Sequence, residues 1–271
     1  MFKKYLIFLQ LGLSILLGNG QKGFHSISSF TSFEPGETYF VFGDDVKMRT
    51  GPGIQHQEIK RLRIGDKVKI IESTESFMTY NGINSRWYRI EHQNDNGYML
   101  GGLIALSSLK DSGITILSSL EQQSSFAPKL RLRVLKDSNE YNEYVFNVIG
   151  THFLLKLYDA KGLKGVKNLI EVDYISEACG MEGGVSYIYR DENALYPMAN
   201  LSSMAEAGLF SVAQKFVFPA DEGGIPDKIV YIKNKEVVED ETTGWVVKTE
   251  ERRLLEWDGQ TISPKPPFPE N

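Results

Sequence analysis

The chain has 271 residues, 41% hydrophobic and 24% charged, with 30 Lys+Arg against 35 Asp+Glu for a formal net charge of −5. This fits a folded globular protein with a real core, excludes collagen-like, coiled-coil and disordered classes, and argues against nucleic-acid binding, which takes a basic surface. One Cys rules out an intramolecular disulfide and a Cys-based zinc site, and four His leave little for metal chemistry.

Residues 1–20 read as a signal peptide. Lys3 and Lys4 form a basic tip, an apolar run follows from Tyr5 to Leu17, and Gly18-Asn19-Gly20 supplies small residues for a peptidase cleft. The run is shorter than the ~20 residues a membrane-spanning helix needs. Cleavage after Gly20 removes two lysines and no acids, so the mature chain carries −7. No Cys follows the run to take a lipid, and no later stretch is long and apolar enough to span. The expected location is therefore periplasmic or extracellular, with no stable membrane insertion after cleavage.

Residues 21–37 show little pattern and read as a leader. From Thr38 short strands alternate with turns: Tyr39-Phe40-Val41, Val46 to Arg49, Lys67 to Glu72, Trp87 to Ile90 and Gly97 to Leu100. Gly51-Pro52-Gly53, Ile64-Gly65-Asp66 and Asn94 to Gly97 punctuate them. Such spacing predicts a small barrel over 38–107. Residues 108–128 are rich in Ser and Gln and read as a linker with one possible strand, Ile114 to Leu117. Residues 129–263 read as a second β domain, a sandwich or barrel of no recognised family. In it Leu130, Leu132 and Val134 alternate with Arg131 and Arg133, and Asp258-Gly259 signals a hairpin. Ser203-Met204-Ala205-Glu206 fits a helix-capping box, so a short helix is expected there. The Pro-rich tail, 264–271, lacks ladder donors and is expected to be extended. Residues 112–271 hold 17 Lys/Arg against 24 Asp/Glu, whereas 38–107 hold nine against eight, as two separate units would.

The stretch Asp45-Val46-Lys47-Met48-Arg49-Thr50-Gly51-Pro52-Gly53 resembles the opening of the bacterial SH3 family. Three further elements agree in order: Leu62 to Ile70, Trp87-Tyr88-Arg89-Ile90, and Gly97 to Ile104, with Tyr98 where the family usually has Trp. The stretch Ser73 to Ser85 looks like an insertion lengthening one hairpin. Locally, Gly51 and Gly53 are expected to serve positive φ, Gly65 a tight turn, Trp87 the core, and Arg49 to hold the Gly-Pro turn through carbonyls. The resemblance covers about a quarter of the chain and implies binding rather than catalysis. Family members commonly target peptidoglycan or its peptides, and some bind proteins. A shallow aromatic groove would suit an extended peptide, and Tyr39, Tyr80, Tyr88 and Tyr98 are the candidates, with ordinary barrel packing as the competing role.

An enzyme needs more than this. The family's frequent companions are cysteine peptidases, but no His follows Cys179, and only His152 lies in the same domain. Glu177 and Glu182 disfavour a thiolate there, so the thiol is expected to be idle. No His-x-x-x-His pair and no Gly-x-Ser-x-Gly elbow is present. Glu171 and Asp173 with Glu177 and Glu182 could line a cleft but read better as a solvated face. Asp191-Glu192-Asn193 and Asp221 to Gly224 read as acidic turns rather than calcium loops. The sequence thus points to a mostly β, exported, non-catalytic binding protein of the cell envelope. It needs no cofactor and no metal, and its partner is a peptidoglycan stem peptide or an envelope protein. A cell-wall hydrolase with its site in the C-terminal domain, and a purely structural envelope protein, are the alternatives. Mass spectrometry of the exported protein is expected to find an N-terminus within a few residues of Gln21; a mature chain beginning at Met1 would refute the signal peptide.

Overall fold

The computed structural model describes residues 25–28, 32–111, 113–122, 128–136, 140–150, 152–175, 180, 182–240, 243 and 245–266. Residues 1–20, Cys179 and the end of the Pro-rich tail lie outside them. Strands dominate the described chain, and its one helical turn is a 3₁₀ turn at Gly101–Leu103.

The first strand, β1 (His25–Ser28), belongs to a sheet completed much later in the chain. The barrel follows: β2 (Thr38–Phe40), β3 (Val46–Arg49), β4 (Glu58–Leu62), β5 (Lys67–Tyr80), β6 (Ile83–His92) and β7 (Asp95–Leu100). Its sheet runs β2-β5-β6-β7-β3-β4, and an antiparallel bridge between Val41 and Ile104 joins the chain after β2 to the chain after the 3₁₀ turn. Alternation does the work: Val46 and Met48 of β3, Val68 and Ile70 of β5, and Ile90 of β6 point inward and are buried. Trp87 is buried as expected, at 4% exposure.

β5 and β6 continue beyond the barrel as an arm. The register slips between Ser73 and Phe77, where the Thr74 hydroxyl donates to the Trp87 carbonyl at 2.8 Å. The arm ends in a two-residue turn with Asn81 at φ 48° and Gly82 at φ 77°, the left-handed pair that matches strand twist. A similar turn at Gln93 and Asn94 joins β6 to β7, so Asp95 to Gly97, expected as a turn, lie in β7. Gly51 and Gly53, expected to serve positive φ, do not adopt it. Gly51 is needed for space, since a Cβ there would lie 2.6 Å from the His56 ring.

The stretch expected as a linker carries two strands. β8 (Ser107–Asp111), β9 (Ile114–Glu121), β10 (Lys129–Leu135) and β11 (Tyr141–Asn147) form an antiparallel sheet in the order β11-β10-β9-β8. Ser107, Ser118 and Ser119 are buried, not solvated, and the Ser107 and Ser118 hydroxyls pair at 2.6 Å. Each thereby meets the demand that a buried polar group find a partner.

The third sheet has nine strands. After β1 it comprises β12 (His152–Tyr158), β13 (Asn168–Tyr174), β14 (Gly183–Arg190), β15 (Leu195–Glu206), β16 (Phe210–Val217), β17 (Lys228–Asp240), β18 (Trp245–Trp257) and β19 (Ile262–Ser263). They pair in chain order, with β1 added at the β12 edge, so the 21–37 leader contributes a strand. The capping-box segment at Ser203 is strand rather than helix: Ser203 to Glu206 pair with Ala213 to Phe210. Gly208, at φ 78°, turns the chain before a helix could form.

One face of β12–β14 packs against the four-stranded sheet, with Leu130 and Leu132 meeting Phe153, Leu155, Ile170 and Val172. The sheet curls beyond β14, so that Tyr187 stacks on Phe216 at 5.7 Å within a second apolar cluster. Each large apolar side chain buried in these cores contributes on the order of 1.5–3 kcal/mol.

The barrel is fused to the rest. Phe42 and Ala105 of the barrel share a buried cluster with Leu117 of β9, and Leu135 and Tyr141 pack against it. Arg133 lies 4.5 Å from the centroids of both the Phe42 and Tyr141 rings and donates to the Phe42 carbonyl at 2.6 Å. It also ion-pairs with Glu143, as does Arg131. Burial raises the Glu143 pKa, but the hydrogen bonds from Arg131 and Arg133 outweigh it and leave the carboxyl below its ordinary value.

At the arm tip the Gln122 amide donates to the Asn81 carbonyl at 2.8 Å. A Cβ on Gly82 would lie 1.6 Å from the Gln122 carbonyl oxygen. Gly82→Ala is therefore expected to destabilise by about 1–3 kcal/mol through backbone strain and this clash, and to speed hydrogen exchange at Gln122. Gly113→Ala, also at positive φ but with nothing within 4 Å, is the control: it should cost only the strain and leave Gln122 protected.

Candidate peptide-binding cleft

The arm, the barrel and β9 enclose a cleft of about 420 Å³. Phe77, Tyr80, Ile83 and Arg86 of the arm form one side, Phe33 and Tyr88 the floor, and Ser119 and Leu120 of β9 the opposite wall. The size falls within the range of small-ligand sites. The local sequence places these groups simply. Phe77 and Arg86 are cross-strand partners, so they share a face, and the guanidinium lies 4.7 Å from the Phe77 ring centroid. Gly101 and Gly102 lie beside the arm because a Cβ on either would come within 3.0 Å of arm side chains or backbone.

Among the described residues lining the cleft, Arg86 is the only charged side chain. It donates to the Thr74 carbonyl at 3.0 Å and to Glu75 at 3.1 Å. Glu75 is 91% exposed, so that ion pair is screened by water and easily exchanged.

The four tyrosines expected to line a groove do not gather in one place. Tyr80 is half-buried in the cleft wall. Tyr88 is buried in the floor, and its hydroxyl accepts from the Phe33 amide at 3.3 Å. Tyr39 packs edge-on to Phe33 at 4.9 Å, and its hydroxyl accepts from the Glu34 amide at 3.2 Å. The backbone just upstream of the barrel thus engages two of the four hydroxyls. Tyr98 lies elsewhere, beside Arg49 and Arg89 in the ladder. Arg49 does hold the Gly-Pro turn, donating to the His56 carbonyl at 2.8 Å.

Phe77, Arg86 and the β9 wall were not foreseen in the sequence. The Phe77 ring is 46% exposed, an open apolar surface on a strand whose inner face is otherwise satisfied. Only the pairing across the arm shows that it stacks with a cation.

Residues 44–105 match the family model for the bacterial SH3 domain. The arm and most of the cleft belong to this SH3 domain; Phe33 of the floor and Ser119 and Leu120 of the far wall lie outside the matched residues. Comparison with curated proteins and with solved structures found no match for the chain.

Of the carboxylates weighed for a cleft, Glu171 and Asp173 share a structural partner, and Glu177 lies outside the described residues. The Lys156 ammonium reaches Glu171 at 2.9 Å and Asp173 at 2.7 Å. Asp191 accepts the Asn193 and Ala194 amides of its own turn. Asp221 accepts the Phe218 amide and pairs with Lys161. Among the described residues no cluster of three His, Cys, Asp or Glu is placed to hold a metal, and no helix is long and apolar enough to cross a membrane.

Burial alone would lower the Lys156 pKa, but hydrogen bonds to Asp173 and Glu171 raise it above the ordinary 10.5. Nearby, burial pushes the Tyr158 phenol up to about 12. Because the lysine's folded pKa is raised, its stabilisation is fully present below about 10.5 and fades as pH rises through the folded value. Lys156→Met is expected to cost about 1–3 kcal/mol, discounted from a fully buried pair because Asp173 is 40% exposed. Urea melts should show a constant difference from wild type between pH 6 and 9, narrowing above about pH 10.5.

Proposed function

We propose that this is an exported, non-catalytic binding protein of the cell envelope, whose cleft receives an extended peptide from peptidoglycan or from a protein. One observation carries the reading: an aromatic-floored cleft at the SH3 domain, with a single cation on its rim and a second wall from β9. An extended peptide suits such a site because alternate side chains can enter apolar pockets while the backbone stays accessible. The Glu171 and Asp173 carboxylates are both held by Lys156, which supports binding over hydrolysis at that pair. The SH3 domain supports an envelope location, in keeping with the signal-like N-terminus.

The test pairs a pull-down on insoluble peptidoglycan and a panel of immobilised short peptides with a zymogram for lysis. Retention on one of the two supports, without lysis, is expected. Phe77→Ser, which alters an exposed ring and spares the core, is expected to weaken retention about tenfold or more. Lysis, or retention indifferent to Phe77, would contradict the reading.

A further inference from the structure

We infer that the cleft recognises the free C-terminus of a protein chain ending in a large apolar residue. This rests on the peptide-binding reading above and names the partner.

Charge supplies the first half of the recognition. In a chain of net charge −5, the cleft wall carries one charged side chain, and it is a cation. The other polar side chains of the lining, among them Asn84, Ser85, Ser119 and Gln122, are neutral. A guanidinium holds a carboxylate in two parallel hydrogen bonds, and here it lies over the Phe77 ring, 4.7 Å from the centroid. Its present side-chain partner, Glu75, is 91% exposed, so an incoming carboxylate replaces a solvated contact rather than a buried one.

Size and polarity supply the second half. Phe33, Tyr80, Ile83 and Leu120 line the space beside Arg86 with apolar surface. At about 420 Å³ the cleft admits a Phe or Leu side chain together with its backbone, and such a side chain meets far more of the apolar lining than an alanine methyl does. A C-terminal residue presents a carboxylate and a side chain on the same Cα, which matches one cation beside one apolar hollow. A peptidoglycan stem peptide, with small terminal side chains, satisfies the cation but not the hollow.

The experiment uses the full chain and fluorescein-labelled hexapeptides in anisotropy titrations. Four peptides share five residues: one ends in Phe with a free carboxylate, one in Leu with a free carboxylate, one in Phe amide, and one in Ala with a free carboxylate. The Phe and Leu acids are expected to bind at least tenfold tighter than the amide and the Ala acid. Arg86→Gln should abolish the difference between the Phe acid and the Phe amide, and Arg86→Lys, which keeps the charge, should restore part of that difference. The acid–amide comparison is made on the unaltered protein, so it stands even if a variant fails to fold. Equal binding of acid and amide would overturn the C-terminus inference while leaving peptide binding intact. Retention on peptidoglycan with no binding to any hexapeptide would overturn it in favour of the wall. Binding to neither would overturn both readings.

Discussion

The Phe42 ring under the Arg133 guanidinium is the contact on which the rest of the molecule depends. Arg133 stands on β10, outside the SH3 domain, yet it donates to the Phe42 carbonyl and is sandwiched against Tyr141. Glu143 neutralises it in a setting where its side chain is only 12% exposed. A guanidinium so confined is costly unless its charge and donors are met, so all of its partners hold their places together. Around it Phe42, Ala105 and Leu117 form one apolar cluster. The barrel and the four-stranded sheet therefore share a core rather than a linker.

That fusion makes the cleft. β9 is held against the barrel by Leu117 and at its far end by the Gln122–Asn81 backbone hydrogen bond. Between these two points Ser119 and Leu120 face the arm. An isolated barrel would have an open aromatic face there; the packed molecule has a walled hollow with Arg86 on its rim. The same fit explains Gly82, where the two backbones approach too closely for a side chain.

The barrel was legible because its signals are local. Val46 and Met48 alternate, Gly65 turns at φ 85°, and Trp87 sits in a strand flanked by Tyr88. Asn81-Gly82 is equally local, a two-residue hairpin signal, but it was passed over inside the stretch that looked like an insertion. The serines of β8 and β9 misled because serine is common in linkers; here Ser107 and Ser118 satisfy one another in a core. The helix expected at Ser203 failed because a capping box marks only a start, and pairing with β16 offered the same backbone groups a full ladder. The cleft was not legible at all. It joins residues from positions 33, 77–88 and 119–120, and no periodicity links them. Nor does any pattern announce that the Phe33 and Glu34 amides engage the hydroxyls of Tyr88 and Tyr39.

The central claim is that the SH3 domain and the following sheet form one cooperative unit. Hydrogen exchange read by mass spectrometry across a urea series on the full chain tests it most directly. The account predicts that β6 and β7 of the barrel and β9 and β10 of the sheet lose protection at the same urea concentration. Loss of the barrel strands at a clearly lower concentration, with β9 and β10 still protected, would contradict it.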